Sequence, residues 1–279
     1  MELPPFVKWA GGKTQLLPEI LKRVPKEFNN YYEPFIGGGT VLLALQPNNA
    51  TINDINSELI HVYKTIANEP LKLIQSIYKL DSCDCTQDYY NKQKEIYNKL
   101  IIDKKYNTDM AALFILLNKH CFNGLYRVNK QGLFNVPWNK KVTGVSVDIA
   151  NILKVSKYLK NVNILNGDFQ NSIKNSDEGD FIFIDSPYDL LSNNSFVDYS
   201  KEGFKKEDHV RLSKVFKDLN NRGCYCMLTN HNTQLINELY YDFNIDIVDV
   251  RRSINSNGND RKGKEVIITN YNLGGMFYG

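Results

Sequence analysis

The strongest constraint on how this chain can fold is an alternation. Short apolar runs ending in Gly, Asp or Asn are followed by stretches of helical periodicity. The runs lie at 31–36, 50–53, 162–165, 180–184, 224–228, 245–250 and 265–269. Helix-like TVLLALQ follows the first, and a long amphipathic segment from about Asn56 to Leu80 follows the second. Strands alternating with helices build a mostly parallel, doubly wound α/β sheet, a Rossmann-like core. No run of about 18 apolar residues exists, so no membrane span is expected. The N-terminal MELPPFVKWAGGK has no apolar signal core, which points to the cytoplasm.

Residues 81–145 break the alternation. They are rich in Lys, Asn and Tyr and hold one clear apolar helix pattern, AALFILLNKH at 111–120. CFNGLYRVNKQGLFNVPWNKK follows, punctuated by Gly, Asn and Pro. We read an insertion, a small helical domain with an exposed hairpin. The expected division is a discontinuous catalytic domain of residues 1–58 and 160–279, with 59–159 inserted. A net charge of +3 over 279 residues permits nucleic-acid binding without demanding it, since only a clustered basic face matters. The five cysteines form no CxxC pair and no zinc spacing, so we expect reduced structural thiols and no metal.

Four motifs carry chemistry. In Glu33-Pro34-Phe35-Ile36-Gly37-Gly38-Gly39-Thr40 a strand enters a glycine loop and a helix, which lets backbone approach a ligand at the sheet's carboxyl edge. It matches neither GxGxxG nor a P-loop. Asp54, 17 residues past Gly37, stands where an acid could hold ribose hydroxyls. A tight turn with a helix-capping Asp explains the same residues. Asp180–Tyr188, DFIFIDSPY, delivers Asp185, Ser186, Pro187 and Tyr188 to the same edge. Two acceptors and an aromatic face suit the exocyclic amine of a planar base, and an ordinary strand-end turn uses these residue types too. Phe6–Lys13, FVKWAGGK, gathers aromatics, lysines and glycines, with Trp9 as a ligand wall or a core anchor. The Asn123-Gly124 pair before alternating residues suggests a tight hairpin. Arg127, Lys130, Lys140 and Lys141 on it could enter a DNA groove, or form a solvated basic loop.

Together, FVKWAGGK, EPFIGGGT, NDIN (53–56), FNGLYRVNKQGLFNVPWNK (122–140), GDF (167–169) and DSPY (185–188) resemble the Dam-type DNA adenine-N6 methyltransferases, DpnM-like restriction-system enzymes included. The motifs run in the family's order across nearly the whole chain. The resemblance implies an S-adenosylmethionine cofactor, double-stranded DNA as partner and methylation of adenine N6 within GATC. It implies that Trp9, Ala10, Gly11 and Lys13 border the cofactor. Glu33, Pro34, Phe35, Gly37, Gly38, Gly39 and Thr40 would cradle its methionine half. Asp54 and Ile55 would meet its ribose, and Asp168 and Phe169 its adenine. Asp185, on the edge of both sites, would hold the target base with Ser186, Pro187 and Tyr188. Leu125, Arg127, Asn135 and Pro137 match positions that read the site, Asn123 one that enters the duplex, and Lys8 a base-contacting lysine.

One position departs from the family. Its pattern is Asp-Pro-Pro-Tyr, and Ser186 stands for the first proline. The expected role belongs to the backbone carbonyl, which serine keeps while losing proline's fixed φ. We therefore expect activity to be retained, in a monomer that could serve beside a separately acting restriction nuclease. The rival readings are an amino-group methyltransferase acting on RNA, cytosine N4 or protein glutamine, and a DNA-binding relative with a weakened site. A dinucleotide oxidoreductase would leave DSPY unexplained. The C-terminal NLGGMFYG reads as a tail.

Overall fold

Every apolar run becomes a strand in the computed structural model, which describes residues 3–190, 204–251 and 262–272. The strands are β1 (Tyr31–Glu33), β2 (Ala50–Asp54), β3 (Val162–Asn166), β4 (Phe181–Ile184), β5 (Tyr225–His231), β6 (Asn244–Arg251) and β7 (Lys262–Thr269). They form one sheet in the order β3-β2-β1-β4-β5-β7-β6. The first five are parallel, and β7 runs antiparallel between β5 and β6. The expected mostly parallel α/β sheet is therefore the observed fold.

Strand side chains alternate between faces, and the core divides accordingly. Tyr31, Ile52, Phe181, Phe183 and Met227 join one apolar cluster. Tyr32, Ile182, Ile184, Cys226 and Leu228 join the other, with Cys224. All five cysteines are free thiols, and only Cys83 is exposed. Helices α1 (Leu17–Leu21), α2 (Thr40–Leu45) and α3 (Ser57–Asn68) contribute to the first cluster. The strand order reverses between β1 and β4, whose carboxyl ends therefore flank a crevice where ligands bind in open α/β sheets.

The amphipathic stretch after β2 is two helices. Asn56 caps α3 by accepting a bond from the Leu59 amide at 2.7 Å. Pro70 then ends it and opens α4 (Pro70–Asp81) at the first turn, because proline lacks an amide hydrogen and crowds the preceding turn. In the lysine-rich middle, α6 (Thr108–His120) is the expected apolar helix, but α5 (Gln87–Ile102) precedes it. Tyr90, Gln93 and Tyr97 form the buried stripe of α5, a pattern too polar to stand out as apolar periodicity. Helix α7 (Ile149–Leu159) leads back to the sheet. Helices α8 (Phe169–Ser172), α9 (Lys206–Asn221) and α10 (Gln234–Leu239) complete the described chain.

The hairpin is present with its apex displaced. Asn123 and Gly124 take φ of 56° and 65°, as a turn with two positive φ values requires, but they bend the chain at the hairpin's base. The apex is Asn129–Gly132, closed by Gly132 N–H to the Asn129 carbonyl at 2.8 Å. Antiparallel bridges join Val128 to Phe134 and Cys121 to Trp138. The sequence offered Asn-Gly as the strongest turn signal, and Asn129, tolerant of tight turns through its own side chain, took the apex by accepting from the Gln131 and Leu133 amides at 3.0 Å. The proposed tail lies outside the described residues except for Asn272.

Candidate active site

The crevice between β1 and β4 opens into a cavity of about 820 Å³, within the size range of small-molecule sites. Every residue singled out for cofactor or target base lines it: Trp9, Ala10, Gly11, Lys13, Glu33, Pro34, Phe35, Gly37, Gly38, Gly39, Thr40, Asp54, Ile55, Asp168, Phe169 and Asp185 through Tyr188. Residues 120 apart and more in sequence therefore meet because β1, β2, β3 and β4 end on one edge.

The glycine loop is threaded between two aromatics. Gly39 has φ of 70°, and a β-carbon there would stand 2.5 Å from the Tyr63 hydroxyl. One on Gly37, φ 46°, would stand 2.7 Å from the Trp9 ring. Tyr63 donates to the Gly37 carbonyl at 3.0 Å. Asp54 accepts from the Gly37 amide at 3.0 Å and from the Asn56 amide at 2.9 Å. Each oxygen keeps a lone pair for a ligand hydroxyl.

Glu33 is 2% exposed. It accepts from the Tyr31 hydroxyl at 2.6 Å, yet burial pushes its carboxyl up to about 8. At the far end, Arg211 bonds both Asp168 oxygens at 2.9 and 2.8 Å and lies 4.2 Å from the Phe169 ring centroid. Phe35 packs against Phe169 at 5.2 Å. The cavity thus has an acidic, hydroxyl-accepting half and an aromatic half. An adenosyl sulfonium ligand, cationic at one end and planar at the other, fits that division.

The DSPY corner is held from three sides. Lys13, 5% exposed, sets its ammonium 2.6 Å from Asp185 Oδ1 and 4.5 Å from the Tyr188 ring centroid. Thr229 Oγ1 donates to the same Asp185 oxygen at 2.9 Å. Burial raises the Asp185 carboxyl, opposed by Lys13 and Thr229. Tyr188 donates to Glu265 at 2.9 Å, and His231 meets its ring edge-on at 4.7 Å. Sequence reasoning had not singled out Thr229, Glu265, His231, Arg211 or Tyr63. The strand run 224–228 stopped one residue short of Thr229, and the others approach only through tertiary packing.

Lys8, Asn123, Leu125, Arg127, Asn135 and Pro137 lie apart from the cavity lining. Tyr126, Phe134 and Val136 point into the core, while Arg127, Asn135 and Pro137 are exposed and Leu125 half-buried. Arg127 donates to Asn135 Oδ1 at 2.9 Å. Trp9 ties this element to the cavity by stacking on Tyr126 at 5.5 Å. Asn118 accepts from the Lys8 amide and donates to the Lys8 carbonyl at 2.9 and 2.8 Å. Phe122 stands 52% exposed beside Asn123.

A seven-strand, mostly parallel α/β sheet with a glycine-loop crevice at its carboxyl edge is consistent with a Rossmann-like methyltransferase. Residues 9–254 match the model of the D12 class N6 adenine-specific DNA methyltransferases, and the chain belongs to that family. It is 40% identical to the type II methyltransferase M1.LlaDCHI of Lactococcus lactis subsp. cremoris, across 97% of this chain and 96% of that one. It is 41% identical to the type II methyltransferase M.MjaIII of Methanocaldococcus jannaschii, across 97% and 100%. It is 31% identical to the DNA adenine methylase of Escherichia coli K12, across 96% and 95%. The chain is an S-adenosylmethionine-dependent DNA adenine-N6 methyltransferase.

Proposed function

We propose that this enzyme methylates adenine within GATC in duplex DNA, after rotating the base out of the stack into the DSPY corner. The observation that carries this reading is the meeting of two half-sites in one cavity, beside a hairpin with an exposed polar edge. N6 cannot be reached in line inside a duplex, so the base must leave it.

When bound, S-adenosylmethionine supplies an electrophilic sulfonium methyl group. Trp9, Ala10, Gly11 and Lys13 would border the cofactor, and Glu33, Pro34, Phe35, Gly37, Gly38, Gly39 and Thr40 would cradle its methionine half. Asp54 and Ile55 would hold its ribose, and Asp168 and Phe169 its adenine. Asp185 Oδ2 and the Ser186 carbonyl accept the two N6 hydrogens, so the nitrogen lone pair localises toward the methyl group. Tyr188 stacks on the base, and Pro187 stiffens the turn. Positioning, and relief of positive charge growing on nitrogen, supply the rate. The alkylated nitrogen is acidic enough to release its proton without a strong base.

Residues 59–159 face the duplex. Arg127 reads a base edge alongside Leu125, Asn135 and Pro137, Lys8 contacts a base, and Asn123 with exposed Phe122 enters the stack. The chain acts as a monomer in the cytoplasm, a form that could serve beside a separately acting restriction nuclease. Asp185→Ala should abolish methyl transfer while duplex binding stays measurable. Full turnover in that variant would contradict the assignment.

A further inference from the structure

In the parallel ladder Ile184 stands beside Leu228. There β4 ends and the chain continues as Asp185 and Ser186, while β5 continues as Thr229 and Asn230. Carrying the register one and two residues past the last pair would set Thr229 beside Asp185 and Asn230 beside Ser186. The distances follow: Thr229 Oγ1 lies 2.9 Å from Asp185 Oδ1, and Asn230 Nδ2 lies 3.4 Å from Ser186 Oγ. Asn230 Oδ1 also accepts from the Asp189 amide at 2.8 Å, just past the motif. Both β5 side chains are fully buried, and neither lines the cavity. They touch the loop from outside the cavity.

We propose that Thr229 and Asn230 are positioning residues for methyl transfer. Thr229 turns Asp185 so that Oδ2 meets an N6 hydrogen, and Asn230 steadies the Ser186 carbonyl where this chain lacks a proline ring. The proposal rests on the reading of Asp185 and the Ser186 carbonyl as the N6 acceptors. Lys13 also holds Asp185 Oδ1, with its ammonium anchored on the Gly11 carbonyl at 2.6 Å, so the carboxylate is gripped from two sides and Thr229 supplies the grip from β5. Threonine, branched at Cβ, is stiff about χ1, so its hydroxyl can set the carboxylate plane. Thr229 and Lys13 both engage Oδ1.

The titratable groups facing Asp185 are Lys13 from the N-terminal segment, Tyr31 and Glu33 from β1, and Tyr188 from its own loop. The Thr229 bond favours the charged carboxylate. Removing it should therefore carry the acid limb of the rate profile to higher pH.

The test is single-turnover methyl transfer, with separate measurement of S-adenosylmethionine and duplex binding. Thr229→Val keeps shape and removes the hydroxyl. It should slow transfer about tenfold or more, move the acid limb up and leave both affinities essentially unchanged. Thr229→Ser should recover most of the rate. An unchanged rate and pH profile, or loss that tracks weakened cofactor binding, would overturn the role of Thr229. So would an equally inactive Thr229→Ser, which also decides the matter if the valine variant does not fold. Asn230→Ala should slow transfer more in the natural chain than in a Ser186→Pro background. Equal losses in both would overturn the role of Asn230. If Asp185→Ala retained full turnover, the underlying base-holding reading would fail instead, whatever Thr229 does.

Discussion

Glu33→Gln should flatten the pH dependence of folding stability. The carboxyl is 2% exposed, and the Tyr31 hydroxyl and the Leu42 amide bond it. Burial outweighs these bonds and lifts the group from its ordinary 4.5 to about 8. A carboxyl whose folded pKa is raised contributes fully below its unfolded pKa, and that contribution is lost as pH rises through the folded value. The gap from 4.5 to about 8, at about 1.4 kcal/mol per pH unit, sets a ceiling of about 5 kcal/mol. Between about pH 5.5 and about pH 7.5 the natural protein should lose about 2–3 kcal/mol that Glu33→Gln does not. Asp54, also raised by burial, is common to both proteins and drops out of the difference, while the charge of Asp185 adds to the upward shift of Glu33. Urea unfolding of the two proteins across this window measures it. Parallel curves would mean that Glu33 is ionised throughout, and would refute the reasoning.

Other consequences are as direct. If Glu33 meets the cationic donor, S-adenosylmethionine should bind more tightly as pH rises toward about 8 and release a proton, which calorimetry in buffers of different ionisation enthalpy reads. Gly39→Ala should destabilise the fold by about 2–4 kcal/mol and weaken cofactor binding, since it adds left-handed strain and drives Tyr63 off the Gly37 carbonyl. Arg127→Ala should relax discrimination at one base pair by about 1–3 kcal/mol, seen by methylating a panel of single-substitution sites. Ser186→Pro should leave turnover within the same order of magnitude, and a gain of several orders would show that serine cripples the loop.

The sheet and its carboxyl-edge loops were legible because their determinants are local. A strand that ends in Gly37-Gly38-Gly39 or in Asp185 announces a carboxyl-edge loop, and parallel topology then brings those loops together. Residues 81–145 were less legible. Helix α5 hides its buried stripe in tyrosines and a glutamine, and Pro70 divides a continuous amphipathic pattern. The hairpin apex went to Asn129 over Asn123 because the buried run of Tyr126, Phe134 and Val136 sets the register. The braces of the site, Thr229, Tyr63 and Arg211, gain their roles only from neighbours distant in sequence.

The central claim is best tested by transfer of labelled methyl from S-adenosylmethionine to two duplexes, one holding a single GATC and one with that site scrambled. The account expects label on the GATC duplex alone, released as N6-methyladenine. Equal label on both duplexes would contradict the assigned site, and label on any other atom would contradict the chemistry of the DSPY corner.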